Sequence, residues 1–343
     1  MKIRDGFISI ICLIIMSVLM IMILYLEYTT NMEYLILNST ANNIQSYYLA
    51  EGKIYMILHE DKYYLNQLYP ILAEYFRAYP YSSTPKDIII SNEDLGAGDD
   101  LDRVKVNLID KDGSKQLMLI AKSNFQRLRT TVTSYVTVVN KLFEKGNPIL
   151  DINLLDIEYK EELIELISNI SKNISINNFN KPENIYGVEL SNFSTIILDK
   201  RDNDTYEIAS FRETMSQPYT EVFINKEIFV IIRKFGEEPT NFLIGNSNKP
   251  NEEIKLSGII YVEGDITISK QLEFSGIMIV KDGEIIIDEN VKPNIKGIII
   301  VDNIVNNEYI KKADIIYSRH SIYKYGTYLP GVIQPRINLI KNE

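Results

Sequence analysis

Phe7 to Leu26 reads FISIICLIIMSVLMIMILYL, twenty residues without a charged residue, glycine, proline, asparagine or glutamine. An α-helix rises about 1.5 Å per residue, so this stretch spans about 30 Å, the thickness of the hydrocarbon core of a bilayer. The stretch therefore predicts a membrane-spanning helix, and the rest of the chain is expected to be carried by it.

The charges on the two sides of this apolar stretch are unequal. Lys2 and Arg4 precede it, Glu27 and Glu33 follow it, and the next basic residue is Lys53. By the positive-inside rule, we expect the N-terminus in the cytoplasm and the body of the chain outside the cytoplasmic membrane. No small-residue cleavage pattern ends the stretch, so a single-pass anchor is predicted rather than a removed secretory signal. An anchor that only tethers the body is an alternative that stays open here.

Helical periodicity continues beyond the membrane stretch. One stripe of residues recurs at spacings of three and four, which indicates one face of an amphipathic helix. The stripe is Tyr34, Leu37, Ala41, Ile44, Tyr48, Glu51, Tyr55 and Leu58, and the opposite face carries Asn42, Asn43, Gln45, Ser46, Lys53 and His59. The sequence predicts one helix from about Phe7 to about Leu65, with a connection from Tyr69 to Pro85.

Two short motifs lie on this predicted helix. Gly6-Phe7 marks the boundary between the charged leader and the apolar stretch, and Ala50-Glu51 lies in the amphipathic half. The chain is similar to the N-terminal domain of PilX-type minor pilins, and more broadly resembles type IV pilins and pseudopilins. The similarity lies in the segment GFISIICLIIMSVLM and, further on, in SYYLAEGKIYMIL. The resemblance is confined to about residues 1–60.

The resemblance implies processing and partners. A prepilin peptidase would cleave after Gly6, Phe7 would be N-methylated, and the partners would be membrane lipid, other pilins or pseudopilins, and the pilus assembly machinery. Ile11 stands at the fifth mature position, where major pilins carry a glutamate. In that family the glutamate carboxylate is thought to pair with the N-terminal amine of a neighbouring subunit, and a lone charge in hydrocarbon is costly. The absence of this glutamate therefore favours a minor or tip-proximal subunit over a major pilin. A pilin-derived protein that is no longer assembled stays open.

Glu51 has two interpretations. It follows Ala50 on the apolar stripe, which suits a carboxylate buried within the head or against a partner pilin. The other interpretation is an exposed glutamate on a helix that bends or rotates near Gly52.

Composition limits the other functions. The formal net charge is −10, from 36 basic and 46 acidic residues, which argues against binding of nucleic acid by the body. Cys12 is the only cysteine, so an intramolecular disulfide and a cysteine-based zinc site are excluded. Nucleophile, zincin and phosphate-loop motifs are lacking, and we predict neither enzymatic activity nor a cofactor. A tethered glycan hydrolase stays open, because a carboxylate pair has no local signature.

Residues 69–140 show antiparallel β patterns. Asp87 to Ser91 reads DIIIS, apolar residues alternate between Val104 and Ala121 around a turn at Asp110 to Gly113, and Thr130 to Val139 is β-branched. These patterns predict a pilin-like β head. Its acidic residues suit Ca²⁺ as oxygen ligands, although solvated turns are favoured because the later acidic ligand of an EF-hand is missing. They are Asp99, Asp100, Asp102, Asp110 and Asp112.

The remainder of the chain divides into a mixed region and a repeat. Ile157 to Ile174 predicts a helix that packs on a sheet through Leu163, Ile164, Ile167, Ile170 and Ile174. Further on, G-I-x-x-V recurs at Gly258, Gly276 and Gly297, at spacings of 18 and 21 residues. Such a repeat predicts stacked β-solenoid coils or a compact antiparallel meander.

The predicted fold class is therefore α+β: a long N-terminal transmembrane and amphipathic helix, an antiparallel β pilin-like head and a β-rich repeat region. The expected parts are a leader at 1–6, a transmembrane helix at 7–26, its amphipathic extension at 27–68, the head at 69–140, an α+β region at 141–250 and the repeat region at 251–343. The predicted function is a structural minor pilin or pseudopilin of a type IV pilus-type filament. The alternative is a membrane-anchored surface protein whose β-repeat body binds an envelope or extracellular ligand.

Overall fold

The computed structural model describes residues 3–78, 84–96, 98–111, 114–176, 185–202, 205–212, 217–234, 236, 239–245, 253–302 and 312–342. The chain forms two compact units. The first comprises Met1–Tyr69, Thr84–Val136 and Ile337–Glu343, and the second comprises Pro70–Ser83 and Thr137–Arg336. The fold is α+β, with a long N-terminal helix, an antiparallel sheet and a β-repeat region, as the sequence predicts.

The N-terminal helix α1 runs without interruption from Ile3 to His59. It ends earlier than the predicted Leu65, because Glu60 adopts an extended backbone conformation with φ −95° and ψ 122°. A short helix, α2 (Asp61–Tyr63), and a π-helical turn (Tyr64–Leu68) follow. The break turns Tyr63 inward, where its hydroxyl donates a hydrogen bond to the Asp94 carboxylate.

The predicted connection after Tyr69 is wrong over its first half. Helix α3 occupies Tyr69–Arg77 and buries Leu72, Ala73, Tyr75 and Phe76. Pro70 is the second residue of α3, which directly follows the π-helical turn, and Tyr69 before it keeps a helical backbone with φ −59° and ψ −44°. The sequence therefore tolerates a helix here despite its proline.

The first unit is built on a five-stranded sheet in the order β1-β2-β3-β4-β17. Its strands are β1 (Lys86–Ile89), β2 (Arg103–Lys111), β3 (Ser114–Phe125), β4 (Leu128–Val139) and β17 (Ile333–Asn342). β2 pairs antiparallel with β3, with Val104 opposite Ala121, which confirms the predicted hairpin. The sequence did not predict β17, whose residues IQPRINLIKN lack apolar alternation.

In the part of the chain that the structure describes, the second unit contains α3 together with twelve strands and two further helices. They are β5 (Ile149–Asp151), α4 (Ile157–Asn173), β6 (Ile185–Leu190), β7 (Thr195–Asp202), β8 (Thr205–Phe211), β9 (Tyr219–Phe223), β10 (Glu227–Ile232), β11 (Thr240–Ile244), β12 (Ile254–Ile268), β13 (Leu272–Lys281), β14 (Ile285–Ile287), β15 (Asn294–Val301), β16 (Asp314–Tyr317) and α5 (Arg319–Gly326).

The repeat region is a parallel β-solenoid. β12 pairs in parallel with β13, and β13 with β15, and the register places Gly258, Gly276 and Gly297 side by side. Parallel stacking at the spacing of the sequence repeat excludes the antiparallel meander. β10 and β6 extend this stack, while β11 and β7 extend a second parallel face. Strands on both sides of residue 250 thus share the same sheets.

Close backbone approach explains the repeated glycines. A Cβ atom added to Gly276 would lie 1.8 Å from the carbonyl oxygen of Gly258, and one added to Gly297 would lie 1.8 Å from that of Gly276. Gly258 also adopts φ +131°, which side-chain-bearing residues rarely adopt. The glycine column is therefore a packing requirement of the solenoid.

Apolar side chains, mainly isoleucine and valine, fill the solenoid interior from both parallel faces, and include Ile260, Val262, Met278, Val280 and Ile299. The outer face is covered by α5, which packs on β12, β13 and β15, and the Phe76 ring of α3 stacks on Tyr323 of α5 with 4.9 Å between the ring centroids. Helix α4 buries Leu163, Leu166, Ile167 and Ile170. Ile164, predicted to face inward, is 52% exposed, because Leu166 takes the inward position on this turn.

Candidate assembly surface on the N-terminal helix

The first half of α1 is apolar on every side. All twenty side chains from Phe7 to Leu26 are exposed in the described structure. The most apolar window of the helix has a mean hydropathy of 3.1, and none of it is buried. By length and composition, α1 is suited to cross a bilayer, and it is compatible with a membrane anchor.

The second half of α1 packs on the sheet of the first unit, mainly on β3. The residues that face the sheet are Ser46, Ala50, Lys53, Ile54 and Ile57, all of which are buried. The Ser46 and Ser123 hydroxyls lie 2.7 Å apart, and Ser123 donates a further hydrogen bond to the Ser46 carbonyl at 2.6 Å. These bonds satisfy polar groups that would otherwise be costly to bury.

A buried ion pair strengthens this packing. The Lys53 Nζ lies 2.6 Å from the Asp99 Oδ2 and donates hydrogen bonds to the carbonyls of Lys122 and Leu101. Asp99 Oδ1 accepts hydrogen bonds from the backbone amides of Leu101 and Asn124, each at 3.1 Å. The prediction that Ser46 and Lys53 lie on the polar face of the helix is therefore wrong. Both side chains are buried in the first unit, because Ser123 and Asp99, which are remote in sequence, supply their polar partners.

The predicted apolar stripe is largely exposed instead. Tyr34, Leu37, Ile44, Tyr48 and Tyr55 lie on the surface of the described structure, and only Leu58 joins the buried face. The Tyr55 and His59 rings stack with 6.0 Å between their centroids. The helix thus presents an apolar and aromatic stripe, Tyr34–Tyr55, that continues from the membrane stretch while its other side holds the sheet.

The structure separates the residues that the resemblance singled out. Gly6 lies within the backbone of α1, and Phe7 and Ile11 are exposed on its apolar half. Ala50 is fully buried against the sheet. Glu51 is half-buried and accepts a long hydrogen bond of 3.5 Å from the Tyr47 hydroxyl. Burial and the Glu51 carboxylate raise the pKa of Tyr47.

The acidic residues of the head do not converge. Asp99 is engaged with Lys53. The others have separate partners or lie elsewhere: Asp100 accepts from Asn124, Asp102 lies 3.9 Å from Arg103, Asp110 pairs with Lys115, and Asp112 lies outside the described residues. Within the described part of the chain, no group of three or more histidine, cysteine, aspartate or glutamate residues is arranged to hold a metal ion.

Two contacts near the end of α1 have no sequence signature. The Asp94 carboxylate accepts hydrogen bonds from Lys62, Tyr63 and Ser91. These bonds, that of Lys62 most of all, hold the pKa of the Asp94 carboxyl well below its usual range. In the π-helical turn, the Gln67 amide pairs with the backbone of Ile89, accepting from its N–H at 3.0 Å and donating to its carbonyl at 2.9 Å.

Comparison with known proteins gives little further information. No protein-family model matches the sequence, and no curated protein is significantly similar to it. The crystal structure of the competence-associated pilin ComZ from Thermus thermophilus aligns over 88% of this chain and 98% of that chain, with 9% identity and a TM-score of 0.23. At this TM-score the similarity carries no argument about function.

Proposed function

We propose that this protein is a minor pilin or pseudopilin, a structural and non-catalytic subunit of a type IV pilus-type filament. The observation that carries the proposal is the difference between the two halves of α1. A helix that is apolar all round continues without a break into a half that holds a β sheet on one side and leaves the Tyr34–Tyr55 stripe open on the other.

Helix packing supplies the assembly mechanism. In the bilayer, the segment from Phe7 to Leu26 gains no hydrophobic energy by leaving lipid, so close van der Waals packing drives its association with other helices. Beyond the bilayer, the Tyr34–Tyr55 stripe is exposed to water, and burial against neighbouring helices stabilises a filament by about 25 cal/mol per Å² of apolar area. The two compact units then decorate the filament.

Processing after Gly6 belongs to the same proposal. The resemblance to PilX-type proteins supports cleavage by a prepilin peptidase and methylation of Phe7. In this proposal α1 crosses the cytoplasmic membrane once, with its N-terminus on the cytoplasmic side and the body of the chain on the outer side. Ile11 supports a minor or tip-proximal position, because a subunit without a carboxylate there offers no charge partner to a neighbouring N-terminal amine.

The mature N-terminus tests the proposal. Mass spectrometry of the native protein is expected to find a chain that begins at methylated Phe7, and the Gly6→Val variant is expected to retain the leader. A wild-type chain that begins at Met1 or Lys2 would contradict the pilin proposal.

That second result would favour a tethered surface protein whose β body binds an envelope or extracellular ligand. One observation speaks for this alternative, namely a cavity of about 470 Å³ in the second unit. Ligand binding by that cavity and processing of Gly6 are independent measurements, so each function can be tested without the other.

A further inference from the structure

A mixed polar and apolar cavity of about 470 Å³, here called the α4 cavity, lies beside helix α4 in the second unit. Ile152, Ile164 and Ile167 form an aliphatic wall. Ser168, Ser171 and Lys281 place hydroxyl and ammonium groups in the same cavity. Pockets of about 300–1,000 Å³ with an apolar wall and a few polar groups are typical of sites for small molecules.

A partly buried hydrogen-bond network supports the polar wall. The Ser171 hydroxyl accepts a hydrogen bond from Lys281 Nζ at 3.1 Å and donates to Glu263 Oε1 at 3.3 Å. Glu263 is 8% exposed and also accepts hydrogen bonds from the Tyr261 hydroxyl at 2.7 Å and the Arg233 guanidinium at 3.1 Å. The network fixes Ser171 and Lys281, which is the preorganisation that a binding site requires.

Two carboxylates complete the cavity. Asp282 adopts a left-handed backbone conformation with φ +56°, which aspartate tolerates better than most residues. Its backbone N–H donates a hydrogen bond to Asp302 Oδ2 at 2.9 Å, and its own carboxylate lies 3.7 Å from Lys281 Nζ. Asp282 and Asp302 therefore bring hydrogen-bond acceptors to a wall that already holds donors.

The charges of the α4 cavity cancel. Lys172 and Lys281 balance Asp282 and Asp302, so a ligand of either sign meets repulsion as well as attraction. A larger groove of about 580 Å³ on another side of α4 is different, since Lys141 alone opposes four glutamates there. Those glutamates are Glu158, Glu161, Glu162 and Glu165. The balanced cavity suits a neutral ligand that carries both donors and acceptors.

We propose that the α4 cavity binds a neutral saccharide unit of an extracellular or envelope glycan. Sugar hydroxyls both donate and accept hydrogen bonds, which matches Ser168, Lys281 and Asp282, and the C–H face of a pyranose ring matches the aliphatic wall. The proposal does not depend on filament assembly, because every residue of the site lies in the second unit.

The test uses the full chain in lipid nanodiscs, free of glycolipids and glycoside detergents, which would compete for the site. Saturation-transfer NMR is recorded with glucose, galactose, N-acetylglucosamine and cellobiose, and with glycine, acetate and ethylamine as charged comparisons. Asp282→Asn removes a charge and keeps a residue that tolerates positive φ, whereas Ser168→Phe fills the cavity. Lys296→Met is the control, because Lys296 pairs with Glu273 outside the cavity.

We expect saturation transfer to at least one saccharide, weakened about tenfold or more in affinity by Asp282→Asn and Ser168→Phe, a factor equivalent to about 1.4 kcal/mol. Lys296→Met is expected to bind as the wild type does, and thermal unfolding checks that all variants are folded. Transfer to none of the four sugars would overturn the proposal. Equal binding by the folded Ser168→Phe variant, or binding of glycine or acetate in place of the sugars, would overturn it as well.

Discussion

The Lys53 ammonium lies 2.6 Å from the Asp99 carboxylate, and the two side chains are only 2% and 0% exposed. Lys53 belongs to the long helix and Asp99 to the loop before β2, so one ion pair connects the helix to the sheet of the first unit. Burial of both charges is costly unless the pair and its hydrogen bonds stay complete, which makes this pair a specific determinant of helix docking.

Loss of Lys53 alone is expected to destabilise the first unit severely. Lys53→Met leaves Asp99 buried without its counter-ion, which costs about 3–5 kcal/mol, whereas the double variant with Asp99→Asn removes both charges and recovers part of this loss. Denaturant unfolding measures the difference. Lys62→Met, in an exposed pair with Asp94, is the control and is expected to change the free energy of unfolding much less. A double variant no more stable than Lys53→Met would contradict this account.

The glycine column predicts a second large effect. In Gly276→Ala the new Cβ would meet backbone atoms of Gly258 that cannot move without disturbing the stack, and we expect a loss of about 3 kcal/mol or more. Gly52→Ala is the matched control, because nothing lies within 4 Å of its Cβ position on α1. Alanine is favoured over glycine in a helix by about 0.5–1 kcal/mol, so this variant is expected to be as stable as the wild type or slightly more so. Thermal unfolding measures the stability of both variants relative to the wild type. A Gly276→Ala variant as stable as the wild type would refute the packing requirement.

Periodic patterns made much of this fold predictable. The apolar run from Phe7, the hairpin around Asp110 and the glycine repeat each encode their structure within a short segment. The repeat spacing even coincides with the strand register, because each solenoid coil is one repeat of the sequence.

The face of α1 that holds the sheet was not predictable in this way. Hydrophobic periodicity selects the Tyr34–Tyr55 stripe, and simple patterning directs Lys53 and Ser46 toward water. Their actual positions depend on Asp99 and Ser123, which are remote in sequence. The mismatch is informative, since an apolar stripe left exposed by one subunit is available to another.

Acid should weaken the second unit through Glu263. Burial alone would raise the pKa of Glu263, but hydrogen bonds from Tyr261, the Lys234 backbone N–H and Arg233 lower it below the ordinary glutamate value. A carboxyl with a lowered folded pKa stabilises the protein fully above its unfolded pKa of about 4.3, and this contribution is lost as the pH falls through the folded value.

Glu263→Gln is therefore expected to lower stability by about 2 kcal/mol at pH 7 and to flatten the loss of stability below about pH 4. Unfolding curves at several pH values measure both effects. Glu289→Gln, at an exposed position, is expected to follow the wild type at every pH. A Glu263→Gln variant that loses stability as steeply as the wild type below pH 4 would contradict the assignment.

Gln67 is expected to protect the edge of the first sheet. Its amide imitates a neighbouring strand at Ile89, so Gln67→Ala leaves one backbone donor and one acceptor of β1 to solvent. We expect hydrogen exchange at the Ile89 amide to accelerate about fivefold, which corresponds to the roughly 1 kcal/mol of a net hydrogen bond. Asn66→Ala, at the neighbouring exposed position, is expected to leave this rate unchanged. An unchanged exchange rate in Gln67→Ala would show that the two hydrogen bonds between Gln67 and Ile89 do not protect the strand in solution.

The two sides of α1 are expected to respond differently to the same substitution. Ile44 is exposed on the Tyr34–Tyr55 stripe, and Ala50 is buried on the sheet. Ile44→Asp is expected to leave thermal unfolding close to wild type and to reduce incorporation into filaments at least about tenfold, because it places a charge where apolar helix surface would be buried. Ala50→Asp buries an unpaired carboxylate and is expected to unfold the first unit. Immunoblots of sheared filaments, with whole-cell protein levels alongside, separate the two effects. Normal incorporation of a folded Ile44→Asp chain would show that the stripe is not the assembly surface.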